Sequence, residues 1–237
     1  MQLSIKRLKF YVMLSQLFVA IVVMLFVSQK SFSVSVGERY LLIQKSLRDF
    51  KFVWRKKYNQ ATTRAQKNAV LSRLQKVLPE KISRLFKPWY GTRWAYEGTS
   101  TIPGSGSIAC GYFVTTILRD SGLRINRVRM AQAASETMIR KLNGNKNIKR
   151  YRRKSIQHFI QQVKQWGAGL YVVGLDYHTG FILNKKNQVY FIHSSLYPPT
   201  TVVNEKAVDS LALQNSNYRV LGKLFSNSQS VRGWLFK

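Results

Sequence analysis

The chain has one cysteine, three histidines and nine acidic residues among 237. A lone cysteine forbids an internal disulfide, so the fold must stand without covalent staples. With so few histidines, cysteine-rich zinc modules are excluded as well. Any chemistry at Cys110 is done by that residue alone or with partners that are not cysteines. No internal repeat and no low-complexity tract interrupts the chain. With 45% hydrophobic and 13% aromatic residues it can bury a core, which argues against intrinsic disorder. The length suits one domain of roughly 150–200 residues with accessories.

The scarcity of acid leaves thirty-nine Lys and Arg almost unopposed, a formal charge of +30. Residues 1–36 hold four basic and no acidic residues, so thirty-five against nine, or +26, remain with the rest. The excess gathers in residues 37–87, with fourteen basic and three acidic, and in residues 146–154. In the latter, Lys146, Lys149, Arg150, Arg152, Arg153 and Lys154 meet no acid. Such surfaces attract polyanions and anionic lipid head groups. Nucleic acid would satisfy the charge alone, but no zinc-finger spacing, basic zipper or aromatic RNA-binding signature accompanies it.

The N-terminus argues against nucleic acid too. Lys6, Arg7 and Lys9 precede an apolar run from Phe10 to Val27 interrupted only by Ser15 and Gln16. A basic stretch before such a run is the pattern of an export signal, with Ser31-Phe32-Ser33 as a small-residue cleavage site. The run of about 18 residues also approaches the length that spans a bilayer, so an uncleaved anchor stays open. No cysteine follows it, which excludes a lipoprotein anchor. Residues 1–36 are thus expected to be a signal peptide or membrane anchor, and the chain to be exported, periplasmic or in the cell envelope. The basic residues beyond the run outnumber those before it, a bias in the opposite sense, although long domains cross regardless of it.

Apolar residues at three- and four-residue spacing predict helices over 38–86, a basic helical segment (37–87), with Pro79 expected to end or bend the second. Composition then shifts: Gly91, Gly98, Pro103, Gly104 and Gly106 among Ser and Thr mark a loop-rich approach to Cys110. Helices are expected near 109–120, 128–142 and 154–166, with a polar basic loop before the last. Beyond Gly169 the period becomes two, predicting strands at 170–175, 178–183, 189–193, 218–225 and 231–236. Helices first and strands later indicate an α+β domain over 88–237.

Cys110 falls at the expected start of a helix, after a glycine-rich loop and with Ser107 as a potential cap. The partial positive charge of a helix N-terminus favours thiolate there, and a neighbouring imidazolium would lower the thiol pKa further. Cys110 also shares a helical face with Phe113, Val114, Ile117 and Leu118, the pattern of a small core residue. His178 opens one expected strand and His193 closes the next. A four-residue loop, Asn184-Lys185-Lys186-Asn187, would pair Leu183 with Gln188 and set His178 opposite His193, both rings on one face. A thiol, an imidazole to take its proton and a second imidazole to orient the first make a Cys–His–His triad. Paired histidines are also a metal pattern, but no third ligand is evident. His158 falls off the apolar face of its helix, as an exposed residue would.

These residues carry a resemblance. Gly98-Thr99, then Ala109-Cys110-Gly111-Tyr112-Phe113-Val114, then His178-Thr179-Gly180-Phe181-Ile182-Leu183 and Phe191-Ile192-His193-Ser194 resemble in order the NlpC-like papain-fold peptidases of bacterial cell walls. The resemblance covers roughly residues 88–196. It implies a papain-like fold, its nucleophile at a helix start packed on an antiparallel sheet. Cys110 would be the nucleophile, His178 the base and His193 the orienting residue, with Trp94 or Tyr96 lining the substrate site. The chain departs from the family pattern where Ala109 and Gly111 replace Asp and Ser, and where Trp166-Gly167-Ala168-Gly169 replaces the turn before the histidine strand. The resemblance further implies a cysteine hydrolase of amides in peptidoglycan stem peptides; no cofactor or metal is expected, and the basic surface would hold the chain near peptidoglycan or another anionic envelope polymer, with an anionic membrane surface as a further partner. Acyl transfer or thioester hydrolysis on lipid or protein substrates, and a non-catalytic basic envelope-binding module, stay open.

Overall fold

Thr63 starts the second of two long helices: its side chain accepts the N–H of Gln66, whose own side chain reaches back to the Thr63 N–H, a reciprocal cap. A computed structural model describes residues 34–236, and the apolar run at 10–27 lies outside them. The two helices are α1 (Val36–Gln60) and α2 (Arg64–Ser83). Pro79 does not end α2, which continues to Ser83; Leu78 and Ile82 on either side of it are buried and hold the helix to the core. There follow α3 (Cys110–Asp120), α4 (Arg127–Ala131), α5 (Ser135–Asn143), β1 (Ile148–Arg152) and α6 (Ile156–Trp166). The chain then forms β2 (Gly169–Gly174), β3 (Thr179–Lys185), β4 (Gln188–Ser194), β5 (Val202–Lys206), α7 (Leu211–Gln214), β6 (Tyr218–Lys223) and α8 (Ser228–Phe236).

The six strands form one antiparallel sheet in the order β1-β6-β2-β3-β4-β5, and the architecture is α+β. Side chains alternate between its faces. Leu170, Val172, Phe181, Ile192 and Val220 pack on one side with buried residues of α1, α2, α3, α5 and α8. Tyr171, Val173, Ile182, Phe191 and Leu221 pack on the other with α6 and α7. Tyr40, Leu47, Leu71 and Leu74 of the first two helices share a cluster with Phe113 and Phe181. Burying a large apolar side chain stabilises by about 1.5–3 kcal/mol, so the basic helical segment is part of the main core, and Val36–Lys237 form one unit.

Several expectations are corrected. Residues 231–236 are helical, not extended: Asn227 and Ser230 cap each other reciprocally, and Val231, Trp234 and Leu235 then face the core. The helix expected at 128–142 is two, because Asn126 caps a first short one through the Arg129 N–H and the chain re-enters helix at Ser135. The basic stretch before α6 is not all loop. Five of its residues form β1, which buries only Tyr151, too little for alternation to announce it. Strand β5 was likewise not expected. Among the described residues no helix is long and apolar enough to cross a membrane.

Candidate functional site

The register of β3 and β4 decides where the histidines meet. Lys185 pairs with Gln188 and Phe181 with Ile192, so the connection is Lys186-Asn187, both left-handed at φ 51° and 61°, the geometry of a tight hairpin. The register therefore lies two residues from the one expected, and His193 comes against Gly180 rather than His178. A shift of two preserves the face. Gly180 then becomes the residue that makes room: a Cβ there would stand 2.7 Å from His193 Cβ and 2.6 Å from Phe191 Cε2. His193 stacks on Phe191 with ring centroids 4.0 Å apart, and the ring of His178 stands edge-on to both.

The two imidazoles are in direct contact: His178 Nε2 lies 2.7 Å from His193 Nδ1. A third group extends the chain, as His193 Nε2 lies 3.0 Å from Oε1 of Glu205 on β5. A carboxylate only accepts hydrogen bonds, so His193 carries its proton on Nε2 and, being neutral, accepts at Nδ1. His178 must then donate from Nε2. That leaves the lone pair on His178 Nδ1, an atom that is buried and has no hydrogen-bond partner. Both rings are held neutral. Burial, and secondarily the neighbouring His193, push the His178 pKa down to about 3. Burial also lowers that of His193 against the opposing pull of Glu205. Burial works to raise the carboxyl of Glu205, but hydrogen bonds from His193 and Ser210 outweigh it and the net direction is down.

His178 is placed by a two-residue turn, Leu175 N–H donating to its carbonyl. Asp176 pins that turn: its Oδ2 accepts from the Ser216 hydroxyl and from the Asn217 N–H at 2.7 Å. Tyr177 beside it is 96% exposed.

Cys110 is the first residue of α3. Ser107 does not cap the helix; Ala109 holds that position and supplies no side-chain bond. The approach is fixed by backbone bonds. Ile108 N–H donates to Arg93, Ala109 N–H to Gly98, and the Ser194 hydroxyl at the end of β4 donates to the Ile108 carbonyl at 2.6 Å. Gly98 is required by this packing, since a Cβ there would stand 2.6 Å from Ile108 N. The β3–β4 ladder ends at Phe181 and Ile192, and the N–H of Thr179, next to His178, is directed at the sulfur along with those of Gly111 and Cys110. These N–H groups favour thiolate, but burial outweighs them and the net direction of the thiol pKa is up. The expected depression is thus corrected: the half-buried Cys110 rests as a thiol, and His178 Nδ1 makes no hydrogen bond to its sulfur.

Trp94 and Tyr96 lie in the loop that meets this approach. Trp94 is half-buried with its N–H on Thr200, and Tyr96 is 82% exposed. His158 is half-buried rather than exposed, its ring edge-on to Tyr151. Sequence reasoning missed Glu205, Thr179 and Asp176. Glu205 and Asp176 left a signal only as two of nine acids in a strongly basic chain, and the role of Glu205 was unreadable without strand β5. Among the described residues no cluster of three or more His, Cys, Asp or Glu could hold a metal ion. Protein-family models, curated proteins and solved structures yield no match to this chain.

Proposed function

We propose that the chain is a papain-like cysteine hydrolase that cleaves an amide bond, with Cys110 as nucleophile, His178 as base, His193 as orienting residue and Glu205 behind it. The observation that carries this reading is the relay Glu205–His193–His178, which leaves the buried Nδ1 of His178 basic and without a partner. A histidine pair serving only packing would have no need of a carboxylate that sets its tautomer.

In the reaction His178 Nδ1 takes the thiol proton as sulfur attacks the carbonyl carbon. Because the resting pair is neutral, proton transfer and attack proceed together. The carbonyl oxygen becomes an oxyanion, which the N–H of Cys110 at the uncapped start of α3 helps to stabilise. The imidazolium returns its proton to the leaving amine as the C–N bond breaks, leaving a thioester. Water, deprotonated by His178, then attacks the thioester, and the sulfur leaves and regains its proton. The resemblance of the motifs points to amides of peptidoglycan stem peptides, which the basic surface would hold near an acidic envelope polymer.

Incubating the protein and its Cys110→Ala variant with purified peptidoglycan, and identifying released fragments by mass spectrometry, tests this. Fragments from the wild type alone are expected. Fragments from both would remove Cys110 from the mechanism, and fragments from neither would exclude peptidoglycan as the substrate.

A further inference from the structure

A helix whose inner face is committed to the core should be polar on its outer face, and α1 is not. Tyr40 and Leu47 are buried inward, yet Leu41, Leu42, Phe52 and Val53 are 61%, 59%, 69% and 47% exposed. At helical spacing Leu41, Lys45, Arg48, Phe52 and Lys56 fall on one line, and Leu42, Asp49 and Val53 on the adjacent one. Leu41 and Phe52 are eleven residues apart, about 16 Å along the axis, so the apolar groups recur along the helix with cations between them. The helix carries seven basic and two acidic residues. At its first turn the surface continues onto the loop leading to Cys110, where Ile102 is 55% exposed and stands 3.7 Å from a Cβ placed on Gly37.

We propose that this face of α1, extended by Ile102, docks on an anionic lipid surface. Large apolar side chains exposed in a row mark an interaction site. Lysines and arginines interleaved among them suit a layer with apolar depth and a negative surface: the cations reach the head groups while Leu, Phe and Val enter the acyl boundary. A second copy of this very basic chain would meet the cations with repulsion. The position along the chain agrees, since α1 begins nine residues after the apolar run ends at Val27. Docking would set the loop before Cys110 against the bilayer. The inference is independent of the thiol chemistry.

The test uses the full chain with Cys110→Ala, so that one introduced cysteine carries an environment-sensitive nitrobenzoxadiazole label. Asp49→Cys reports from the middle of the outer face without removing an apolar or basic group, and Val208→Cys reports from the β5–α7 connection. Each is reconstituted with phosphatidylcholine vesicles, with or without phosphatidylglycerol, that contain a doxyl-quencher lipid. The expected result is quenching of the label at 49 by at least about half on anionic vesicles, weaker quenching on neutral ones, and little at 208. Leu42→Gln with Phe52→Gln, both at exposed positions, should reduce quenching at 49. Equal quenching at 49 and 208, or none at 49, overturns the proposal, as does quenching at 49 that is equal on neutral vesicles. A label shift at 49 that depends on protein concentration without lipid would identify a second copy as the occupant and overturn it too. Every chain in the test lacks Cys110, so its outcome says nothing against the proposed hydrolysis.

Discussion

Oε1 of Glu205 accepts a hydrogen bond from Nε2 of His193 at 3.0 Å, and the direction of that bond decides which nitrogen of His178, one ring further in, is basic. His193 is almost fully buried while the Glu205 side chain keeps about a third of its surface exposed, so the carboxylate reaches the relay from its solvent end. The arrangement orients a base twice over, through one imidazole and through the acid that sets it.

Glu205→Ala removes the acceptor and frees His193 to adopt either tautomer, and half of those states place a proton where His178 needs an acceptor. Turnover is expected to fall by about one to two orders of magnitude with little change in KM, because the group does not touch substrate. Glu205→Gln can still offer a carbonyl oxygen and should recover part of the loss. A variant as active as wild type in steady-state assays would take Glu205 out of the relay.

The ranking of the two histidines follows from the same chain. His178→Ala removes the base and should cost more in kcat than His193→Ala, which removes the orienting group and leaves Nδ1 of His178 in place. If His193→Ala proved the more damaging, the roles of the two rings would be exchanged.

What was legible in the sequence was local. The period-two segments, the glycine loop before Cys110 and the order of cysteine and histidines were enough to expect an α+β chain with both rings on one face. The face survived because the register error was even: the connection is Lys186-Asn187 rather than four residues, and non-glycine residues in the left-handed region gave little turn signal. The pKa of Cys110 was not legible, because a helix start pulls it down and burial pushes it up, and burial is a property of the whole fold. Strand β1 hides in a run of cations, and α8 was misread because Val231, Trp234 and Leu235 suit a strand by composition until the Asn227–Ser230 cap is seen.

The thiol itself can be titrated cleanly, since it is the only one. A resting thiolate–imidazolium pair would alkylate at a rate nearly independent of pH across the neutral range. Burial holds the Cys110 pKa above its ordinary value and the His178 pKa far below. The rate with iodoacetamide should therefore climb steadily from pH 6 to beyond 9 with no neutral plateau, as read from the mass of the labelled protein. A plateau near pH 7 would show that the ion pair forms at rest.

Gly180→Ala tests the packing of the ring pair. The added methyl would meet Phe191 Cε2 at 2.6 Å, His193 Cβ at 2.7 Å and the Ile192 carbonyl at 2.9 Å, and the last is backbone that cannot swing aside. Overpacking of this kind costs about 1–3 kcal/mol, to be read from urea unfolding, and the displaced His193 should lower activity further than the stability loss explains. Wild-type stability and activity together would mean that β3 and β4 separate easily at this end.

Acid should destabilise the fold through His178. Its folded pKa of about 3 lies below the value of about 6.5 for an unfolded histidine, so between these limits the unfolded chain binds more protons than the folded one. Stability is then complete above pH 6.5 and declines as pH falls through the window, by at most about 1.4 kcal/mol per pH unit. Glu205, whose folded pKa is also lowered, adds a loss of the same sign at more acid pH. Urea unfolding at pH 7 and at pH 4.5 should show a larger drop for wild type than for His178→Gln, which keeps a polar side chain but binds no proton. Equal drops would mean that the ring takes up its proton in the folded protein as readily as in the unfolded chain, and would place water at the relay.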